Sequence, residues 1–147
     1  MQDLKEIKPG DVINLGKWPF EENGHPEMIE WIVLEKKEDL LLLISKYCLE
    51  CLPYDSISEK AKWEDSKLRF WLNEDFYNNA FSDDEKTIIP GTKIDNYTLF
   101  FSFHIPSKKT TDYVFILSAD EAEKHMKNNA DRLTKPTPYA FKQVMKY

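Results

Sequence analysis

Glycine is scarce in this chain, and long apolar runs are missing. Only 4 of the 147 residues are glycine. Ordinary usage is about 7%, so Gly-rich phosphate-binding loops, collagen-like repeats and flexible linkers are excluded. The longest apolar runs, at 40–44 and 113–117, fall far short of the roughly 20 residues that a membrane-spanning helix needs. We therefore expect a globular protein with no membrane partner.

Basic charge is also in deficit. The chain has 20 Lys and Arg against 26 Asp and Glu, a formal net charge of −6, and its modest positive excess lies in residues 86–100, at +1, and 101–147, at +3. Proteins that bind nucleic acid need a basic stripe that displaces the counterions of the phosphates. The sequence therefore predicts no nucleic-acid partner. Residues 1–6 lack the apolar region of a secretory signal, and we expect a cytoplasmic protein.

Cysteine is limited to Cys48 and Cys51, which form one C-x-x-C pair. A structural zinc ion needs four ligands, and His25, His104 and His125 lie too far apart in sequence to complete such a set. A thioredoxin-like motif needs a helix after the pair, and no helical pattern follows here. The sequence predicts no metal site and no cofactor. We favour two partly buried thiols, and a redox role for the pair stays open.

Aromatic residues, by contrast, are plentiful, with Phe 9, Tyr 7 and Trp 4. Such a supply excludes a disordered chain, in which aromatics are few. The length suits one compact domain, and no internal repeat or break in composition marks a second. We predict a single domain over 1–147, with a core over 1–134 and a C-terminal tail over 135–147 that begins extended and turns helical.

Strand patterns occur in both halves of the chain. Apolar runs predict β-strands at 11–15, 29–34, 40–45, 99–105 and 113–117. The polar segment between the second and third runs has the length of a hairpin connection. The third run is apolar on both faces, which predicts a central strand of the sheet.

Helical patterns lie between these runs and after the last one. Four apolar residues between positions 68 and 76 have the spacing of one helix face, with Asp65 or Ser66 as the N-cap. Ser82 and Ser118 each have Glu three residues later, and these capping boxes predict two more short helices. Because regular βαβ alternation is missing, we predict an α+β fold, an antiparallel sheet with two or three short helices.

One stretch of the chain is distinctive. Residues 63–81 read W-E-D-S-K-L-R-F-W-L-N-E-D-F-Y-N-N-A-F, after L-L-I-S-K at 42–46 and P-Y-D at 53–55 and before F-I-L-S-A-D-E-A at 115–122. These motifs resemble a bacterial family of domains of unknown function over nearly the whole chain. More distantly, the chain is similar to C-type-lectin-like and sulfatase-modifying-factor-like domains. That similarity implies a truncated C-type-lectin-like domain, without the glycine-rich later half in which the sulfatase-modifying relatives carry their cysteines.

Trp63, Arg69, Asn73 and Tyr77 are the candidate ligand-binding residues of this stretch. Trp and Arg are favoured at recognition surfaces, and aromatic rings stack on sugars. No catalytic residues are predicted, because no histidine lies beside a Ser or Cys in the arrangement of a nucleophile and its base.

The same residues also have a structural interpretation. Aromatic residues at helical spacing are typical of a face packed in the core. Arg69 has Glu64 or Asp65 as an ion-pair partner, and Asn73 is placed to cap a helix end. We favour the structural interpretation for this cluster.

The function predicted from these observations is a non-catalytic binding or interaction module with a protein or glycan partner. The alternative is a remnant or member of a sulfatase-modifying-factor-like enzyme lineage whose activity is lost or unrecognised. If the later half of the domain is missing, apolar surface is left uncovered, which predicts a homodimer or exchange of the C-terminal tail.

Overall fold

The computed structural model describes residues 6–55, 62–95, 97–100, 103–106 and 108–146. The chain divides into two compact units, unit 1 (Met1–Cys51 with Leu117–Tyr147) and unit 2 (Leu52–Ile116). Both combine antiparallel strands with short helices, which confirms the predicted α+β fold with antiparallel sheet. The single domain over 1–147 stays a prediction.

Unit 1 is built on a three-stranded antiparallel sheet. Its strands are β1 (Val12–Pro19), β2 (Pro26–Lys37) and β3 (Leu40–Ser45), in the order β1-β2-β3. The predicted hairpin between β2 and β3 is confirmed, and Glu38 in its turn has a φ of +51°. The prediction that β3 is the central strand is wrong. β2 lies in the middle, and an edge strand keeps its apolar residues half-buried, as those of β3 are.

A bulge shapes β1. The pairing of β1 with β2 shifts register between Asn14 and Lys17. Gly16 lies inside this bulge with a φ of +71°, a conformation that is costly for any residue with a Cβ. Beside it, the indole Nε1 of Trp31 on β2 donates to the carbonyl of Leu15 over 2.8 Å. The bulge thus fixes how the first two strands of the sheet meet.

The helix α4 (Ala119–His125) begins at the predicted capping box. The Oγ of Ser118 accepts from the backbone N–H of Glu121 over 3.2 Å, and the Glu121 carboxylate accepts from the backbone N–H of Ser118 over 2.8 Å. At the other end of α4, Lys124 Nζ lies 2.9 Å from Oε1 of Glu35 on β2. This ammonium holds the pKa of Glu35 below its usual range.

The C-terminal segment of unit 1 is also helical. A 3₁₀ turn (Asn129–Arg132) is followed by α5 (Pro138–Gln143), which continues into a second 3₁₀ turn (Val144–Lys146). Thr137 caps α5, because its side chain accepts from the backbone N–H of the third helical residue. The segment from 135 onward begins extended and turns helical, as predicted.

Backbone hydrogen bonds fix this segment to the rest of unit 1. The N–H of Cys48 donates to the carbonyl of Lys135, and the N–H of Thr137 donates to the carbonyl of Cys48, each over 3.0 Å. The N–H of Tyr139 donates to the carbonyl of Phe20 over 2.9 Å. Helix α5 is therefore an attached part of unit 1.

Unit 2 begins with a helical run that contains the distinctive stretch. Its parts are a 3₁₀ turn (Trp63–Asp65), α1 (Lys67–Trp71), a π-helical turn (Leu72–Phe76), α2 (Tyr77–Ala80) and α3 (Asp83–Ile88). Ser66 is the N-cap of α1, one of the two residues predicted for that position. The capping box at Ser82 opens α3 as predicted.

Aromatic side chains form the apolar core of unit 2. Phe76, Ala80 and Phe81 are buried. The ring of Phe76 lies 5.6 Å from that of Trp71 and meets the ring of Phe81 edge-on at 5.8 Å. Trp71 and Phe76, two of the four residues of the predicted apolar helix face, thus pack in this core.

The strands of unit 2 form two small antiparallel pairs: β4 (Thr92–Ile94) with β7 (Thr110–Asp112), and β5 (Tyr97–Phe100) with β6 (Phe103–Pro106). The single strand predicted over 99–105 is wrong, since 99–100 belong to β5 and 103–105 to β6, and these two strands pair with each other; residues 101 and 102 lie outside the described residues. The strand predicted over 113–117 is also wrong. The side chain of Asn73, and not a neighbouring strand, binds the backbone at 113 and 114.

Candidate functional site

The four residues predicted to bind a ligand all meet one segment of unit 2. Trp63 lies in the 3₁₀ turn, Arg69 on α1, Asn73 in the π-helical turn, and Tyr77 is the first residue of α2. Each of them contacts residues 110–114, which comprise β7 and the two residues after it. We call these residues the 110–114 segment. The structure therefore brings all four side chains together around a partner that lies far away in sequence.

Asp112 is the centre of this arrangement. Its side chain is fully buried, with an exposed fraction of 0%. Arg69 Nε donates to Oδ1 over 2.7 Å, while Trp63 Nε1 at 2.8 Å and Thr110 Oγ1 at 2.7 Å both donate to Oδ2. We call these four residues the Asp112 cluster.

The cluster meets the conditions under which a buried charge is tolerated. An isolated carboxylate in a protein interior is very costly, unless it is paired and hydrogen-bonded. Here one oxygen of Asp112 takes a charge-assisted bond from Arg69 and the other takes two neutral donors. Because Arg69 and Asp112 lie 43 positions apart, the pair ties α1 to β7. Breaking it would leave a charged group without its partner.

The partner of Arg69 differs from the one expected. The sequence suggested an ion pair with Glu64 or Asp65, but the carboxylate at Arg69 is that of Asp112. Glu64 meets Arg69 through its backbone, whose carbonyl accepts from Nη1 over 3.2 Å. The guanidinium also lies 5.6 Å from the ring centroid of Phe70. Sequence proximity misled here, because the fold brings a distant acid closer than the local ones.

Asn73 binds the backbone just after β7. Its Oδ1 accepts from the N–H groups of Tyr113 at 2.7 Å and Val114 at 3.2 Å. Its Nδ2 donates to the carbonyls of Val114 at 2.9 Å and Arg69 at 3.0 Å. The expectation that Asn73 caps a helix end is wrong, since it lies inside a π-helical turn. Both ends of its amide are engaged because residues 113 and 114 have no strand partner to bind them.

The side chain of Asn73 also bonds within its own helical run. Its Nδ2 donates to the carbonyl of Arg69, four residues earlier, and the same carbonyl accepts from the backbone N–H of Leu72. A π-helical turn is rare and is found frequently at functional sites. Asn73 lies in this turn and binds the 110–114 segment from it.

Tyr77 stacks on Tyr113. The two ring centroids are 4.4 Å apart and the planes differ by 14°. Lys86 Nζ lies 5.7 Å from the centroid of Tyr77. Burial, with a smaller contribution from the neighbouring Tyr113, raises the pKa of Tyr77. Tyr113 remains 44% exposed, so this pair reaches the surface of unit 2.

Two polar residues of the site, Thr110 and Asp112, were not identified from the sequence, and Ser66 was identified only as a possible N-cap; all three are buried. Ser66 Oγ donates to the carbonyl of Trp63 over 3.0 Å and accepts from the N–H of Arg69 over 3.2 Å. One signal was available for Asp112. It directly precedes an apolar run, and a motif that contains Trp and Arg needs an acceptor for their N–H groups.

The C-x-x-C pair lies in unit 1, and both thiols are free. Cys48 is exposed and Cys51 is half-buried, so only Cys51 fits the expected partial burial. Among the residues that the structure describes, no group of three or more His, Cys, Asp and Glu side chains is placed to hold a metal ion. Within the same residues, no helix has the length and apolarity to cross a membrane.

Glu50 is the one half-buried carboxyl in the described residues whose pKa the structure raises. Burial is the dominant cause, and it is opposed by the backbone N–H of Cys51, by Lys146 and by the indole of Trp18. Its Oε1 accepts from the N–H of Cys51 over 3.2 Å. The pKa of Tyr139 is raised by its own burial and by the charge of Glu50.

The Asp112 cluster and Glu50 differ in what they can do chemically. In the Asp112 cluster both carboxylate oxygens are engaged and shielded from water, so the cluster is suited to holding the 110–114 segment in place. Next to Asp112 in the chain, the ring of Tyr113 is partly exposed at the surface of unit 2. Glu50 is a carboxyl whose proton is retained to higher pH than usual, which is a property of acid–base groups.

Comparison with known proteins assigns the family. A family model described as Domain of unknown function (DUF6273) matches residues 38–143. This range contains the stretch 63–81, the Asp112 cluster and α5. No curated protein and no solved structure matches the chain, and the similarity to C-type-lectin-like domains stays a prediction. Since the model matches more than half of its residues, the chain belongs to the DUF6273 family of domains of unknown function.

Proposed function

We propose that this chain is a non-catalytic binding module with a protein or glycan partner, and that the stacked tyrosine pair of unit 2 forms its binding surface. The observation that carries the proposal is the Tyr77–Tyr113 stack, with centroids 4.4 Å apart and Tyr113 exposed. Aromatic rings with one wet side supply large contact area at recognition surfaces, and Tyr is enriched at binding hot spots.

The surroundings of the pair support a preorganised surface. The backbone N–H of Tyr113 is bound by Asn73, and the residue before it is Asp112, which is anchored by Arg69. A ring held in this way loses little conformational freedom on binding, and preorganisation of this kind strengthens affinity. Trp63, Arg69 and Asn73 then act as positioning residues for the surface, and Tyr77 supports the exposed ring directly.

The test compares binding by the native chain and by two variants on a glycan array and in pull-downs from the source lysate. Tyr113→Ser removes the exposed ring. Ile88→Ser is the matched control, because Ile88 is another exposed apolar side chain of unit 2. We expect a partner that the native chain and Ile88→Ser retain and that Tyr113→Ser loses. Silence in both assays, or equal retention by Tyr113→Ser, would contradict the proposal.

A homodimer remains part of the proposal. Apolar side chains outside α5, such as Leu40 and Leu133, are exposed in unit 1, and exposed apolar surface favours association. Light scattering over a wide concentration range should show the mass of two chains. A constant monomer mass would remove this prediction.

A second candidate function is an enzyme of the sulfatase-modifying-factor-like lineage, and Glu50 is the observation that favours it. A half-buried carboxyl with a raised pKa beside a tyrosine has the properties of a general acid. Turnover of a panel of ester, amide and thiol substrates that disappears in Glu50→Gln would support this candidate. Turnover that is absent, or unchanged in Glu50→Gln, would contradict it.

A further inference from the structure

The C-terminal helix of unit 1 has its large apolar side chains on the outside. Phe141, Val144 and Met145 are 65%, 50% and 88% exposed. They lie at positions i, i+3 and i+4, so they share one face of α5 and its 3₁₀ extension. We call these three residues the α5 outer face.

The buried residues of the same segment are small or polar. Thr137, Ala140 and Gln143 are buried. A helix that packs on its own domain normally turns its large apolar residues inward. Here Tyr139 is half-buried, whereas the three large apolar side chains of the outer face are exposed, which leaves that face available for contact with a partner.

The outer face is also held in a fixed position. Tyr139 N–H donates to the Phe20 carbonyl over 2.9 Å, and Lys142 Nζ donates to the Glu22 carbonyl over 3.4 Å. The Thr137 side chain caps the first turn. A helix anchored in this way presents its outer face without a large ordering cost on binding.

The charge around the face selects its partner. Residues 138–146, which form α5 and its extension, hold two basic side chains, Lys142 and Lys146, and no acidic one. Both lysines lie in the same two turns as the outer face. Two copies that met through this face would bring like charges together. A partner with acidic residues beside its apolar ones would be attracted.

The size of the face points to a short segment. Three side chains offer a few hundred Å² of surface, well below the ~800 Å² per partner of a standard protein interface. Apolar anchors at i, i+3 and i+4 are the pattern by which helices recognise helices. We propose that the α5 outer face binds an acidic amphipathic helix of a partner protein. This site lies in unit 1 and does not depend on the tyrosine pair of unit 2.

The test is a binding titration with a labelled 18-residue helical peptide that carries Leu along one face and Glu elsewhere. The matched probe is the same peptide with every Glu replaced by Lys. We expect the acidic peptide to bind and the basic one to bind at least about tenfold more weakly. Phe141→Ser and Met145→Ser should each weaken the acidic peptide about tenfold or more, since each removes an apolar anchor. Ile88→Ser, a change at an exposed side chain of unit 2, should leave binding unchanged.

Three results would overturn the proposal. The first is equal binding of both peptides, or of the native chain and Phe141→Ser. The second is self-association of the native chain that Phe141→Ser abolishes while no peptide binds, which would identify a second copy as the occupant. The third is binding to phosphatidylserine-containing vesicles that depends on Phe141 while no peptide binds, which would identify a lipid surface. Because Phe141 and Met145 are exposed, both variants keep the buried side of α5 intact.

Discussion

Asp112→Asn is the substitution that tests the Asp112 cluster most sharply, because it changes charge and one hydrogen-bonding group with almost no change of shape. Oδ1 accepts from the N–H of Arg69, and Oδ2 accepts from the indole N–H of Trp63 and from the hydroxyl of Thr110. An asparagine must place its NH₂ at one of these two positions. In either orientation an N–H donor of Arg69 or Trp63 faces another donor. The hydroxyl of Thr110 can rotate to accept, but the indole and the guanidinium cannot.

The magnitude follows from burial. Breaking a buried ion pair by removing one partner costs about 3–5 kcal/mol, because a charge is left uncompensated. The Arg69 side chain keeps 19% of its exposure, so some solvent reaches it, whereas Asp112 has none. We therefore expect a cost near the lower end, about 3 kcal/mol in the stability of unit 2. Arg69→Gln should cost a similar amount. The double variant should cost less than the sum of the two, because the interaction can be lost once only.

Native-state hydrogen exchange is the appropriate assay, because it measures the opening of amides in the two units separately. A loss of about 3 kcal/mol corresponds to roughly two orders of magnitude in the exchange rate of amides that open with unit 2. Peptides that cover 63–81 and 110–114 should show this acceleration. Asp75→Asn is the matched control, since Asp75 is exposed on the same helical run, and it should stay within about 0.5 kcal/mol of the native chain. A cost below about 1 kcal/mol for Asp112→Asn, or additive effects in the double variant, would refute the reasoning.

Three further predictions concern other parts of the chain. Asn73→Asp keeps both accepted hydrogen bonds, but it loses the two donated ones and places a carboxylate against two carbonyls. We therefore expect the free energy of unfolding in urea to fall by about 2 kcal/mol. An unchanged unfolding midpoint would contradict this prediction. Ser82→Ala removes the capping box of α3 and should cost about 1 kcal/mol in the same assay; no cost would mean that the box does not stabilise the helix. The third compares two carboxyls by unfolding at several pH values. The pKa of Glu50 is raised above the ordinary 4.5. Between pH 4.5 and the raised pKa, the folded chain therefore keeps a proton that the unfolded chain loses, and stability falls as pH rises through this range. The pKa of Glu35 is lowered, so its contribution is present above 4.5 and is lost as pH falls toward the lowered value. Glu50→Gln should remove the first dependence and Glu35→Gln the second, and slopes that do not change would contradict both assignments.

Local patterns predicted much of the fold, because local physical chemistry determines it. The capping boxes at Ser82 and Ser118 mark the starts of two helices, since a Ser side chain and a Glu three residues later satisfy the free N–H groups of the first turn. The hairpin between β2 and β3 follows in the same way from two apolar runs and a polar turn. The edge position of β3 could not be predicted, because strand order depends on partners elsewhere in the chain.

The sequence placed four candidate residues in one short motif, and it did not show what they contact. That they bind a ligand stays a prediction for Trp63, Arg69, Asn73 and Tyr77. Their partners could not be identified, since the 110–114 segment lies about 40 positions away from Arg69 and Asn73. Pairing over such a distance is set by tertiary structure. The run at 113–117 has the apolar composition of a strand, and the side chain that binds its backbone in place of a strand partner is remote in sequence.

The central claim of this account is that the motif at 63–81 holds the 110–114 segment, and amide exchange at Tyr113 and Val114 tests it most directly. These two residues belong to no strand, yet their N–H groups donate to Asn73 Oδ1. We predict exchange at least about 100-fold slower than in a free peptide for the native chain, loss of that protection in Asn73→Ala, and full protection in Asn79→Ala, whose amide bonds within the helix. Unprotected amides in the native chain, or protection that survives Asn73→Ala, would contradict the claim.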